Sequence, residues 1–206
     1  MVALLRNPKP WLAAVCLLPL VRLAVLGLND GLGANPIEFI THSTGTWTLV
    51  GLLVTLSITP LRHLSGYAGL VRYRRMLGLF AFFYACLHAL TYFWLDQFFE
   101  PASIGKDIVK RPFITVGFAA FVLLIPLAIT STNAMMRRLG RRWKTLHRLI
   151  YLIALLGVVH YLWLVKKDMT QPMLFGAVLL VLLAIRLPWG LSVLNAVRGR
   201  LAPARP

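Results

Sequence analysis

The sequence predicts an all-α integral membrane protein: a bundle of about six transmembrane helices with both termini in the cytoplasm. Three observations predict it. First, 59% of the 206 residues are hydrophobic and only 14% are charged, with a mean hydropathy of +0.75. A soluble domain of this size would have too little polar surface. Second, six apolar spans occupy residues 11–28, 44–61, 76–95, 113–132, 146–165 and 172–194. Each is close to the length of about 20 residues that carries a helix across a bilayer core. Third, the net charge of +16 is sorted by loop. That sorting reads as membrane topology rather than as a nucleic-acid surface.

The spans can be taken in order. Arg6 and Lys9 precede the first, whose basic start, apolar middle and trailing GLGA resemble a cleaved leader. The run is long for a leader and Arg22 interrupts it, so a retained helix is expected. Arg22 either snorkels to the outer interface or pairs with an anionic group there. Between spans two and three lie Arg62, Arg72, Arg74 and Arg75. Arg137, Arg138, Arg141, Arg142 and Lys144 separate spans four and five, and Arg198, Arg200 and Arg205 follow span six. Six crossings put all of these on one side, the cytoplasmic one by the positive-inside rule. The other side holds Lys106, Lys110, Arg111, Lys166 and Lys167, and every acid of the chain: Asp30, Glu38, Asp96, Glu100, Asp107 and Asp168.

What is missing narrows the function. There is no GxGxxG and no P-loop, so no nucleotide domain is evident. The longest loops are about 15 residues, too short for a folded catalytic domain. No internal repeat is visible, which withholds support from an inverted-repeat transporter. Cys16 and Cys86 sit in apolar runs, with neither CxxC nor CxxCH, and read as small core residues. The whole chain, residues 1–206, therefore reads as one domain that works between its helices or hands its product to another protein.

The five histidines carry the remaining signal. His63 reads as solvated or interfacial, and His42 as a helix-start residue or an outer contact. His88, His147 and His160 lie within spans, where an ionisable side chain marks a functional site by default. Spans three and five both run outward, and His88 and His160 lie within about a turn of the same depth. Two neutral imidazoles there can ligate one haem iron from opposite faces. Without CxxCH that haem is non-covalent, hence b-type. Interhelical hydrogen bonding without a cofactor remains the alternative. Tyr84, Thr91 and Tyr92 share a face with His88 and are expected to orient the ring or meet a propionate. Gly157 is expected to admit a flat ring one turn before His160. Arg22 is a further candidate for a propionate.

His147 lies 13 residues before His160, roughly 20 Å lower along a helix. It reads as a ligand to a second, inner haem, or as a contact for a quinone or flavin. The matching positions on span three are Arg74 and Arg75, which do not ligate iron. Those two, with Arg141 and Arg142, are candidates to hold a flavin phosphate, a propionate or an anionic lipid headgroup, or serve topology alone. Trp47, Trp94, Tyr161 and Trp163 read as interfacial belt aromatics.

The stretches GLGANP, FITHSTG, SITPLR, RRMLGLFAFFYACLHALTYF, KRPFITVG and LAITSTNAMMRRLGRRWKTLHRLIYLIALLGVVHYLW together resemble the MsrQ (formerly YedZ) family of haem-binding membrane subunits. The resemblance runs from span one to span six and is most specific over residues 127–163. That family is similar in turn to the ferric-reductase transmembrane domain of NADPH oxidases and metalloreductases. The resemblance implies one or two b-type haems on His88, His147 and His160, and FMN, for which no motif is found here. It implies an inner-membrane location and electrons taken from quinone or from a cytoplasmic flavin reductase. It also implies delivery to MsrP, a periplasmic molybdenum enzyme that reduces methionine sulfoxide in oxidised proteins. The oxidase relatives carry two histidines on each of two helices, whereas here arginine holds the inner position of span three. A stand-alone ferric-chelate or quinone oxidoreductase is the nearest alternative. A proton-coupled transporter using the buried histidines as a relay is the alternative of another class.

Overall fold

The computed structural model describes residues 8–201, and among these it contains helices and no strands. Arg6 and Arg205, counted above for topology, lie outside the described residues. Five helices are long and apolar enough to cross a membrane, and a sixth, shorter apolar helix accompanies them. Inner and outer are assigned from the charge asymmetry.

Helix α1 (Pro8–Leu28) lies at the periphery, and its one buried residue is Pro19. A hydroxyl holds it: Tyr84 donates to the Cys16 carbonyl at 2.7 Å, beside the turn that Pro19 interrupts. The following turn has Asp30 and Gly33 at positive φ. Asn35 then caps helix α2 (Pro36–Ser65). Its side chain accepts from the Glu38 N–H and donates to the Glu38 carboxylate, with Pro36 in the first turn. At 30 residues α2 is the longest helix and the central one. Leu52, Leu53 and Leu56 put its buried face into the core with Ala81, Leu124 and Ile153. It stops at Gly66, whose φ of 69° favours a residue without a Cβ and whose N–H returns to the Arg62 carbonyl.

Helix α3 (Val71–Leu90) packs along α2. The two backbones meet at Gly51 and Ala81, where a Cβ on Gly51 would stand 2.9 Å from the Ala81 Cβ. The predicted span 76–95 is not one regular helix: from Thr91 to Asp96 the chain widens into a π-helix. It leaves through Phe98 and Phe99, both at positive φ. The outer loop that follows is itself structured, a feature that composition does not foretell. Helix α4 (Pro101–Lys110) is amphipathic and tethered by Tyr92 to Asp107, Ser103 to Gln97, and an Arg111–Asp107 ion pair of 3.2 Å.

Helix α5 (Pro112–Ile129) descends to two short inner helices, α6 (Asn133–Leu139) and α7 (Arg141–Leu146). Helix α8 (Leu149–Leu164) climbs back, so predicted span five breaks at His147 and Arg148 rather than running straight from 146. Helix α9 (Thr170–Ala184) descends again. Predicted span six, 172–194, divides there, because Pro188 cannot donate to the preceding turn and opens a separate helix α10 (Pro188–Leu201). The closest pairings are α2 with α3 and α5 with α8, and α9 covers α8 and α2.

One half-buried charge in the α9–α10 break is accounted for by backbone chemistry. Pro60 inside α2 has no N–H to give the Leu56 carbonyl, which is fully buried. The Arg186 guanidinium donates to that carbonyl and to Leu182, and its plane lies over the Tyr151 ring at 5.2 Å. An apolar bundle thus keeps an arginine because a proline one helix away leaves an acceptor unpaired.

Candidate functional site

The fold brings His88 and His160 together near the outer end of the bundle. Their ring centroids are 6.1 Å apart and their planes are inclined by 76°. His88 sits in the last turn of α3, before the π-helix. His160 sits near the outer end of α8. Each ring is fixed by a backbone acceptor on a neighbouring helix. The His88 Nδ1 lies 2.9 Å from the Thr41 carbonyl of α2, and the His160 Nδ1 lies 2.7 Å from the Phe113 carbonyl of α5. A carbonyl only accepts, so Nδ1 carries the proton in both rings and Nε2 keeps its lone pair. Among the described residues neither Nε2 has a hydrogen-bond partner.

Two glycines make room for these rings. A Cβ on Gly45 would lie 3.0 Å from the Cε1 of His88, and one on Gly117 would lie 2.7 Å from the Nδ1 of His160. The expected orienting groups do other work. Tyr84 is bound to Cys16, Thr91 returns its hydroxyl to the Leu87 carbonyl, and Tyr92 reaches Asp107. At Gly157 the missing side chain accommodates Leu49 of α2, whose Cδ2 is 2.9 Å from where a Cβ would be.

The donor set can be tested against a metal. Two imidazoles provide two ligands, and no cluster of three or more His, Cys, Asp or Glu able to hold an ion exists among the described residues. A bare ion takes more protein ligands than this. Iron in a macrocycle needs only the two axial ones. Two metal–nitrogen bonds of about 2 Å each, with the two half-rings behind them, span close to the observed centroid separation. The pair therefore fits haem and does not fit a bare ion.

His147 lies apart from this pair, at the junction of α7 and α8. Trp143 stacks on its ring, with centroids 3.9 Å apart and planes at 27°. The Thr130 hydroxyl meets its Nε2 at 3.1 Å, and the Trp143 indole N–H donates to the Thr130 carbonyl at 2.9 Å. Arg75 donates to the Asn133 side chain of α6, while Arg74 is half-buried beside it on α3. Arg22 is exposed on α1, with no hydrogen bond or ion pair among the described residues. His42 is exposed in the second turn of α2, inside the helix rather than before it. It lines an open outer cleft of about 280 Å³ with Leu32, Asn35, Glu38 and Phe39. His63 lies in the last turn of α2.

Sequence reasoning does not single out Gly45, Gly117, the two carbonyls or Arg186. The carbonyls have no signature in residue identity. The glycines have one: residues 41, 45 and 88 map onto 113, 117 and 160 at a single constant offset. The repeat not visible in the sequence is thus present in the structure, with α2–α3 and α5–α8 as its two copies.

Residues 41–158 match the family model described as ferric reductase like transmembrane component, which covers more than half of the chain and includes Thr41, His88 and Phe113. Fold and family match thus define a ferric-reductase-like membrane protein. The relatives narrow the class. The heme-binding subunit MsrQ of the protein-methionine-sulfoxide reductase of Herminiimonas arsenicoxydans is 61% identical over 184 residues, covering 88% of this chain and 84% of that protein. The MsrQ subunits of Ralstonia nicotianae and Bordetella pertussis are each 58% identical, over 182 and 180 residues. The chain belongs to the MsrQ family. No solved structure matches it.

Proposed function

We propose that this chain is the electron-transfer subunit of a methionine sulfoxide reductase system and carries a b-type haem between His88 and His160. The observation that supports this reading is the imidazole pair, with each Nδ1–H given to a helix carbonyl and each Nε2 left as a lone-pair nitrogen. When bound, haem supplies one-electron chemistry at a potential set by its axial ligands and their hydrogen bonds. This chain's own residues do the rest. The Thr41 and Phe113 carbonyls hold the tautomer and orientation of the rings. The apolar faces of α2, α3, α5 and α8 keep water from the site.

The direction of transfer follows from the two ends. Electrons enter at the basic, cytoplasmic side, from quinone or a cytoplasmic flavin reductase. His147 with its stacked Trp143 stands at that entry, as part of the path or as ligand to a second haem, and Arg74 and Arg75 bind an anionic group there, such as a flavin phosphate of FMN. They leave at the outer side, close to the histidine pair, for an MsrP-type periplasmic molybdenum reductase that repairs oxidised proteins. The location that follows is the inner membrane of a bacterium. Each of the relatives named above carries the same subunit name over nearly its whole length, which favours this reading over a stand-alone ferric-chelate or quinone reductase.

The test is the dithionite-reduced minus oxidised visible spectrum of the purified protein with haem stoichiometry. A low-spin b-type spectrum is expected, and His88→Ala or His160→Ala abolishes the outer signal. A protein that stays colourless when expressed with haem precursor sinks the reading and returns the histidines to proton relay or packing.

A further inference from the structure

Resting on the haem reading above, we propose that Gly45 and Gly117 are matched positioning residues of the iron site, each forming the seat on which one axial imidazole lies. The two halves share one design. In each, a helix descending from the outer side offers a carbonyl, and a glycine follows one turn later. The histidine sits on a neighbouring ascending helix, 47 residues after its acceptor in both cases.

The steric facts are specific to the rings. An alanine Cβ at position 117 would stand 2.7 Å from Nδ1, 2.8 Å from Cε1 and 3.1 Å from Cγ of His160. At position 45 it would stand 3.0 Å from Cε1 and 3.1 Å from Nδ1 of His88. The imidazole is short and stiff, and iron would hold its far nitrogen, so the ring cannot fold away. It must swing, and the crowded atoms include the Nδ1 that donates to the carbonyl. Glycine is thus required for close approach, not for an unusual φ. Swinging the ring stretches the Nδ1–H···O=C bond. A ring that donates its proton less strongly is a poorer donor to ferric iron, which favours the reduced state. The seat also fixes the angle between the ring planes, observed at 76°.

The experiment uses the full chain, purified with its haem, in wild type, Gly45→Ala, Gly117→Ala and Gly157→Ala. Gly157 is the control: a Cβ there meets only the Cδ2 of Leu49, at 2.9 Å, and touches no imidazole. Redox titration and low-temperature electron paramagnetic resonance are read on each. Both seat variants are expected to keep haem, raise the midpoint potential and move the low-field g value, Gly117→Ala more than Gly45→Ala. Gly157→Ala should superimpose on wild type in both readouts. Unchanged potential and g values in the seat variants overturn the proposal, as does an equal shift in Gly157→Ala. If Gly117→Ala does not accumulate, Gly45→Ala, with its milder clash, decides alone. Wild type without haem defeats the haem reading. Wild type with haem and inert seat variants defeats only the seats.

Discussion

The outer and inner ends of the bundle are built on the same pair of hairpins and differ in what the equivalent positions carry. At the outer end the offset that relates α2–α3 to α5–α8 places histidine on histidine, His88 on His160, each with its own carbonyl and glycine. At the inner end the same offset places Arg75 on His147. There the imidazole has its Nε2 engaged by Thr130 and one face covered by Trp143, and the arginine is bound to Asn133. Symmetry yields two neighbouring imidazoles, each with its Nδ1 on a helix carbonyl and no hydrogen-bond partner at Nε2 among the described residues. Its loss yields a cation and a stacked, hydrogen-bonded ring. The difference teaches that ligand-type residues in a helix do not define a metal site. The contrast lies in which ring nitrogens are left without a partner, and that depends on what the neighbouring helices have already bound.

The largest test of this contrast is removal of an outer imidazole. His160→Ala or His88→Ala should eliminate the outer haem signal outright, whereas His147→Ala should leave it in place, as read from the reduced-minus-oxidised spectrum. The next effect is kinetic: His147→Ala should slow reduction from the cytoplasmic side by roughly 10-fold, the lower end of what disturbing a supporting residue costs. Stopped-flow reduction by an inner-side donor measures it, and an unchanged rate would take His147 off the entry path. Smaller still is the cost of Arg186→Met, about 1–3 kcal/mol from leaving the buried Leu56 carbonyl unpaired. Pro60→Ala should restore much of that loss, since it returns an N–H to the same carbonyl; thermal unfolding of single and double variants would show additivity instead if the two are unrelated. The smallest is Thr130→Val, expected to lower stability by about 1 kcal/mol and to release the His147 Nε2. Haem per chain in that variant, set against wild type, shows whether the hydroxyl's hold on Nε2 limits haem at the inner end.

Much of this architecture is legible in the amino-acid sequence. Hydropathy and charge sorting identify a multi-span helical membrane protein, and depth along the spans picks out His88 and His160, which the fold places side by side. The boundaries are less legible. The π-helix after Leu90, the bend at His147 and the break before Pro188 all interrupt spans whose composition stays apolar throughout, and composition does not record hydrogen-bond register. The supporting groups are legible only in part. A face shared with His88 suggests Tyr84 and Thr91, yet a tyrosine's reach extends to another helix and a threonine in a helix satisfies itself on the preceding turn. The carbonyls that hold the rings cannot be read from residue identity at all. Arg186 does have a signature: a charge late in an apolar span, with a proline in another span, suggests a donor and an orphaned acceptor.

The Arg186–Leu56 bond also bears on how the chain is made. Arg186 lies just past the end of α9, where a charge opposes insertion by less than the ~2.5–3.5 kcal/mol of a helix-centre arginine, but it still needs an acceptor. Its compensating acceptor belongs to a helix synthesised well over a hundred residues earlier. During biogenesis α2 must therefore wait in the membrane with one carbonyl unanswered until α9 arrives, and α9 gains its full stability in lipid only if α2 is in place. A chain that has mispaired its early helices would strand this charge, giving the cell's membrane proteases a signal of failed assembly.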